Sequence, residues 1–276
     1  MTRRNALIIS TGLALAPAGR GAASTGRLKQ SVARWCYAKT PLEDLCREAA
    51  EMGLAGIDLV DPPDWPTIKK YGLTPAMVTG SGTIPHGWNR KKNHDALVKQ
   101  MQDNILVAAE AKVPNVITFS GNRAGMSDDE GKQNCIDGLR RVKAFAEDHG
   151  VTICLELLNS KIDHKDYQCD HAQWGVDVIK AVDSSRVKLL YDIYHMQIME
   201  GNVISTIRKS IRWIGHFHAA GVPGRRDLDD EQELNYRGIC NAISATGYGL
   251  YIGHEFQPKA DALQALRAAF ETCNVA

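Results

Sequence analysis

From Val32 to the end of the chain, short β-branched or apolar runs alternate with amphipathic stretches of helical length, the rhythm of an α/β protein. Residues 33–37 read as the first strand. Thr40-Pro41-Leu42-Glu43 then opens a helix, with threonine at the cap and proline in the first turn, that closes near Gly53. Residues 56–60 are a second strand, 65–71 a short helix ending at Gly72, and 76–79 a third strand. A loop over 80–93 leads into a long amphipathic helix at 94–111 and a fourth strand at 116–120. Ser127-Asp128-Asp129-Glu130 has the form of a capping box and starts a helix predicted to reach Gly150. Strands follow at 152–157, 187–193, 213–218 and 250–255, with helices between them and after the last. Eight strand-plus-helix units in about 245 residues match a single (β/α)8 TIM barrel. No glycine-rich dinucleotide fingerprint follows the first strand and no GxxxxGK[ST] occurs, so the common nucleotide-binding chemistries lack their residues.

The amino terminus breaks this rhythm. Arg3 and Arg4 precede an apolar run over 6–17, and small residues at 18–24 would suit a signal peptidase. The run is too short to span a bilayer, and the paired arginines point to Tat export with cleavage near Ala23. Residues 1–23 are therefore expected to be a signal peptide and 24–276 the barrel, acting as an exported, periplasmic protein with no stable membrane association after cleavage. The whole chain has 33 Lys+Arg against 32 Asp+Glu. Losing Arg3, Arg4 and Arg20 would leave 30 basic against 32 acidic residues, with none of the excess that a nucleic-acid partner calls for. Seven scattered cysteines with no CxxC pair speak against a disulfide framework or a zinc knuckle, and they are expected to be buried and unbridged.

In this barrel type the chemistry belongs at the carboxyl ends of the strands. The last four strands each run from apolar residues into one ligand-type side chain: Glu156, Asp192, His218 and Glu255, spaced by 36, 26 and 37 residues, about one βα unit each. Neighbouring strands would deliver these groups to a common point. Three carboxylates and an imidazole gathered there repel unless a cation joins them. The mixed oxygen and nitrogen donors suit Mg²⁺ or Mn²⁺ first, then Co²⁺ or Zn²⁺. Glu156 and Glu255 are the candidate acid and base for moving a proton on carbon. His195, in the loop after Asp192, and Arg225, in the turn-rich segment 221–226, are candidate substrate contacts, Arg225 in preference to Arg226. The loop Thr83-Ile84-Pro85-His86-Gly87-Trp88-Asn89 is expected to cover the mouth, with His86 as a further substrate contact. His216 and His254 are read as pointing the other way, either structural or supporting the ligands from behind.

Leu155-Glu156-Leu157-Leu158-Asn159, Ile214-Gly215-His216-Phe217-His218, Val222-Pro223-Gly224-Arg225, Glu233-Leu234-Asn235-Tyr236 and Glu255-Phe256-Gln257-Pro258 resemble hydroxypyruvate isomerases. So, most specifically, does Asp192-Ile193-Tyr194-His195-Met196-Gln197-Ile198-Met199-Glu200-Gly201-Asn202. The broader group is the xylose isomerase-like barrel, which includes ketose 3-epimerases. The resemblance spans nearly all of the mature chain. It implies a divalent metal on Glu156, Asp192, residue 218 and Glu255, proton transfer by the two glutamates, and substrate contacts from His195 and Arg225. Two departures bear on the substrate. Hydroxypyruvate isomerases commonly carry glutamine where this chain has His218, whereas the epimerases carry histidine. The glutamate that epimerases place six residues after the first ligand is Ile162 here. The expected partner is a small hydroxycarbonyl compound or sugar. The expected reaction is isomerisation through an enediolate, with a ketose 3-epimerase or a non-catalytic carbohydrate-binding barrel as alternatives and a homo-oligomer left open. An endonuclease of the same barrel type would want more histidine ligands and a basic groove.

Overall fold

The computed structural model describes residues 28–275; the twin-arginine segment and its cleavage region lie outside the described residues. Eight parallel strands close into one barrel in chain order: β1 Lys29–Ala33, β2 Gly56–Asp58, β3 Thr74–Ser81, β4 Asn115–Thr118, β5 Thr152–Leu157, β6 Val187–Asp192, β7 Ile214–Ala219 and β8 Tyr251–His254. The ten α-helices among the described residues are α1 Leu42–Met52, α2 Trp65–Lys70, α3 His94–Glu110, α4 Asp128–Arg140, α5 Lys143–His149, α6 Ala172–Val182, α7 Ile193–Met199, α8 Val203–Ser210, α9 Tyr236–Ser244 and α10 Ala262–Cys273. The (β/α)8 expectation is met. No helix among the described residues is long and apolar enough to cross a membrane. Cys36 is half-buried and the other six cysteines are buried, all of them free.

Burial of both strand faces explains why these segments read as apolar runs: every residue of β5 and β7 is buried. The main core lies between strands and helices, with a separate small cluster of Met77, Ile117, Cys154 and Leu190 from β3 to β6. These four alternate with outward residues along their strands and so plug one half of the barrel interior. The other half is polar. It holds Ser31 on β1, Asp58 on β2 and His216 on β7, where Asp58 Oδ2 accepts from Ser31 Oγ at 2.8 Å and from His216 Nε2 at 2.9 Å.

Several elements depart from the sequence reading, three of them with a plain physical cause. β1 begins four residues earlier than predicted, and residues 34–37 form a 3-10 turn instead. The polar residues Gln30 and Ser31 masked the strand, because one serves the polar interior and the other donates to the Phe270 carbonyl behind the sheet. The helix from Ser127 is capped as expected, with Ser127 Oγ accepting from the Glu130 amide at 3.2 Å. It breaks after Arg140, however, so that α4 packs on α6 and α5 on α3. Pro41 occupies the cap position of α1 in place of Thr40, with no side-chain cap bond.

Candidate metal centre and active site

Glu156 ends its run on β5, Asp192 closes β6, His218 lies on β7 and Glu255 follows β8 directly. Parallel register sets these residues side by side, Asp192 opposite His218 and His218 opposite Gly253. One ligand atom from each of the four lies within 4.8 Å of the others, and all four side chains are buried. His218 Nδ1 stands 2.8 Å from Glu255 Oε2 and 3.6 Å from Glu156 Oε1, yet neither contact is aligned as a hydrogen bond. A buried ring nitrogen without a bonded partner, aimed into three carboxylates, is a donor set that fits a divalent cation. Electrostatics agree. Burial pushes Asp192 up to about 7, with Arg225 working against the shift and Glu255 with it. Burial also raises Glu156. Glu255 goes the other way: burial opposes its charge, but His218 and Arg225 hold it well below the usual carboxylate range.

Local structure aims each group. Asp192 is both strand end and helix cap, its Oδ1 accepting from the His195 amide at 3.1 Å while Oδ2 faces the site. The turn after β7 places Gly224 at φ 87° and Arg225 at φ 57°, in the left-handed region, and the Gln257 amide donates to the Arg225 carbonyl at 2.8 Å. The guanidinium thereby reaches back, with Nη2 2.6 Å from Glu255 Oε2 and 3.5 Å from Asp192 Oδ2. Trp35 Nε1 donates to the other oxygen of Glu255 at 2.7 Å, with Arg225 over its ring at 5.2 Å.

His195 is fully buried beside Asp192, its Nε2 3.6 Å from Asp192 Oδ2 and otherwise unpartnered. Its tautomer follows from Asn159. The Asn159 Oδ1 accepts from the amides of Ile162 and Asp163, so Nδ2 must be the atom that donates to His195 Nδ1 at 2.7 Å. The proton of His195 therefore sits on Nε2, facing the site. Burial holds this imidazole well below its ordinary range, so it is neutral.

Above these groups opens a cavity of about 600 Å³ lined by the polar Glu156, Glu255, Arg225 and His164 and by the apolar Leu59, Ile84, Pro85, Ile117, Phe119 and Leu158. Two sequence expectations are corrected here. His86 is exposed and does not line the cavity; Ile84 and Pro85 of the same loop do. Trp88 is buried under the loop, donating Nε1 to Thr118 Oγ1 at 2.7 Å, and cannot cover the mouth. His216 is the second correction: it is two residues before His218, so the pleat turns both rings to the barrel interior. His254 does point away, bonded to Gln30 Oε1 at 2.8 Å. Arg226 is exposed, and Arg225 is the guanidinium brought to the site.

Sequence reading missed Trp35, His164 and Asp58. Asp58 carries the same strand-end signature as the four ligands, Gly56-Ile57-Asp58, on a strand outside the four that were compared. Trp35 was hidden by the misplaced end of β1.

Known proteins resemble this chain in sequence and fold. A human protein named putative hydroxypyruvate isomerase is 27% identical over 90% of this chain and 85% of its own. A 2-oxo-tetronate isomerase from Pectobacterium atrosepticum is 27% identical over 81% of this chain and 89% of its own. The crystal structure of an AP endonuclease, family 2, from Brucella melitensis superimposes with a TM-score of 0.77 at 24% identity, over 88% of this chain and 97% of that one, a likeness of fold. The model of the xylose isomerase-like TIM barrel family matches residues 46–273, and the chain belongs to that family.

Proposed function

We propose that this protein is a metal-dependent isomerase that moves a proton between adjacent carbons of a small α-hydroxycarbonyl compound, in the manner of a hydroxypyruvate isomerase. The observation that carries the reading is the convergence of Glu156 and Glu255 with Asp192 and His218 at the floor of the cavity. The isomerase names of the two relatives support it. A divalent ion held by these four residues, Mg²⁺ or Mn²⁺ first, would polarise a carbonyl and offset the negative charge that develops on oxygen.

The protein's own groups divide the remaining work. Arg225 and the Nε2–H of His195 flank the carboxylates and offer donors to a substrate carboxylate or hydroxyl. Glu156, its proton affinity raised by burial, is suited to take the proton from the hydroxyl-bearing carbon and return it to the neighbouring carbon, while the hydroxyl proton passes from its own oxygen to the former carbonyl oxygen. Glu255 is kept ionised by His218 and Arg225, with Trp35 bonded to it. This difference between the two glutamates supports isomerisation by one base on one face. Epimerisation would need Glu255 to carry a proton on the opposite face, against His218 and Arg225.

A second reading, a ketose 3-epimerase, is favoured by one observation: a cavity of about 600 Å³ is of the size that takes drug-sized ligands, far more than a three-carbon acid. Deuterium exchange separates the two. In deuterated water with Mg²⁺ or Mn²⁺, the protein should place deuterium on the carbon next to the carbonyl of hydroxypyruvate or a 2-oxo-tetronate. Glu156→Gln should lower turnover by about 10² or more, the scale of a lost acid–base group, and Glu255→Gln should lower it through weakened binding of the divalent ion. Exchange confined to ketoses would favour the epimerase. No exchange with any such compound under any divalent ion, while both glutamine variants bind sugars like the wild type, would leave a carbohydrate-binding barrel in place of an isomerase.

A further inference from the structure

The polar half of the barrel interior contains an acid that the proposed chemistry does not use. Asp58 is fully buried. Its Oδ2 accepts from Ser31 Oγ and His216 Nε2 and lies 3.5 Å from His218 Nε2, an approach not aligned as a hydrogen bond, so that both nitrogens of the His218 ring are buried without a bonded partner. The His218 ring thus stands between two acidic groups, Nε2 toward Asp58 and Nδ1 toward Glu255 and Glu156. Space for the Asp58 carboxylate is left by Gly253, where a Cβ would fall 2.2 Å from Asp58 Oδ2 and 2.9 Å from His218 Cδ2. Burying a carboxylate is unfavourable. The other half of the same interior is filled by Met77, Ile117, Cys154 and Leu190, so the fold does not require an acid at this level.

An imidazole that ligates a cation must present one bare nitrogen, and the proton on its other nitrogen needs an acceptor that fixes the tautomer and the ring. We propose that Asp58 is a positioning residue for His218: it accepts the Nε2 proton and so leaves Nδ1 bare on the side of Glu156 and Glu255. The inference rests on the metal-dependent reading above. His216 steadies the acceptor by donating Nε2–H to the same oxygen.

The test is a double-mutant cycle read as divalent-ion affinity, by calorimetric titration of Mn²⁺ into the metal-stripped protein. Asp58→Asn should weaken Mn²⁺ binding about 10- to 100-fold in the wild-type background. The same change in the His218→Gln background should alter it by no more than about twofold, because the residue it acts through is gone. Equal losses in both backgrounds would show that Asp58 acts on the fold at large, and would overturn the inference; so would an unchanged affinity in Asp58→Asn. Wild type that binds no divalent ion would sink the metal reading and this role with it, whereas tight wild-type binding with a flat cycle would sink the role alone. The wild type supplies a check that does not depend on any variant folding. With isotope-labelled histidine and Mg²⁺ bound, nitrogen resonances should show His218 protonated at Nε2 and bare at Nδ1. A proton on Nδ1 would refute the assignment.

Discussion

Replacing Asp192 by asparagine should make the metal-free protein more stable at alkaline pH, although it removes a residue of the centre. Asparagine keeps the volume and an oxygen to accept the His195 amide, so the cap of α7 survives. What it removes is a carboxylate whose burial raises it from its ordinary 3.8 to about 7. The folded protein holds that proton more tightly than the unfolded chain, so stability falls as pH rises between these two values and the whole penalty stands above the higher one. At about 1.4 kcal/mol per pH unit, the penalty reaches about 4 kcal/mol. Urea unfolding with a chelator present should find Asp192→Asn more stable than wild type by up to about 4 kcal/mol near pH 8, with the gap closing toward about pH 4. Adding Mn²⁺ should narrow the gap near pH 8 to about 1 kcal/mol at a hundred times the wild-type Kd and close it at about a thousand times, since wild type gains about 2.7 and about 4.1 kcal/mol there and the variant gains little. A variant less stable than wild type at every pH, or a gap that does not change with pH, would refute the reasoning.

Trp35→Phe keeps an aromatic ring beneath Arg225 but deletes the donor to Glu255, a charge-assisted bond worth about 1.5–3 kcal/mol. Turnover should fall about tenfold or more, and the acid limb of the pH–rate profile should move upward, because Glu255 loses a group that favours its ionised form; an unmoved limb would count against this contact. His86→Ala should leave kcat and KM within about twofold of wild type while His164→Ala raises KM, since only His164 lines the cavity; the opposite pattern would restore His86 as a substrate contact. We propose that residues 1–23 direct Tat export. Changing Arg3 and Arg4 together to lysine should leave the precursor in the cytoplasm on cell fractionation, and unimpaired export would remove the claim.

Side chains at strand ends were legible because apolar runs stop at them. Glu156, Asp192 and Glu255 stand out in the chain itself, and the predicted bounds of β5 match the structure at both ends. What stayed hidden depends on long-range contact. Gln30 and Ser31 look like loop residues until Asp58 and the Phe270 carbonyl are brought beside them. His86 and Trp88 look like a lid until the packing of the loop sends the indole into the core and leaves the imidazole outside. The tautomer of His195 follows from two backbone amides bonded to Asn159, which no spacing rule reveals.

The polar half of the barrel interior also has a consequence for the order of folding. Its strands are the two that begin the chain and the two that end it, joined where β1 pairs with β8. Trp35 and Glu255 are 220 residues apart in sequence, and Asp58 and His216 are 158 apart, so neither contact can form while the chain is an open sheet. Contacts of such separation come late, after the entropy of closing the intervening chain has been overcome. During refolding, helix signal should therefore recover before metal affinity does, and a kinetic trace of Mn²⁺ uptake would time the joining of the first strand to the last.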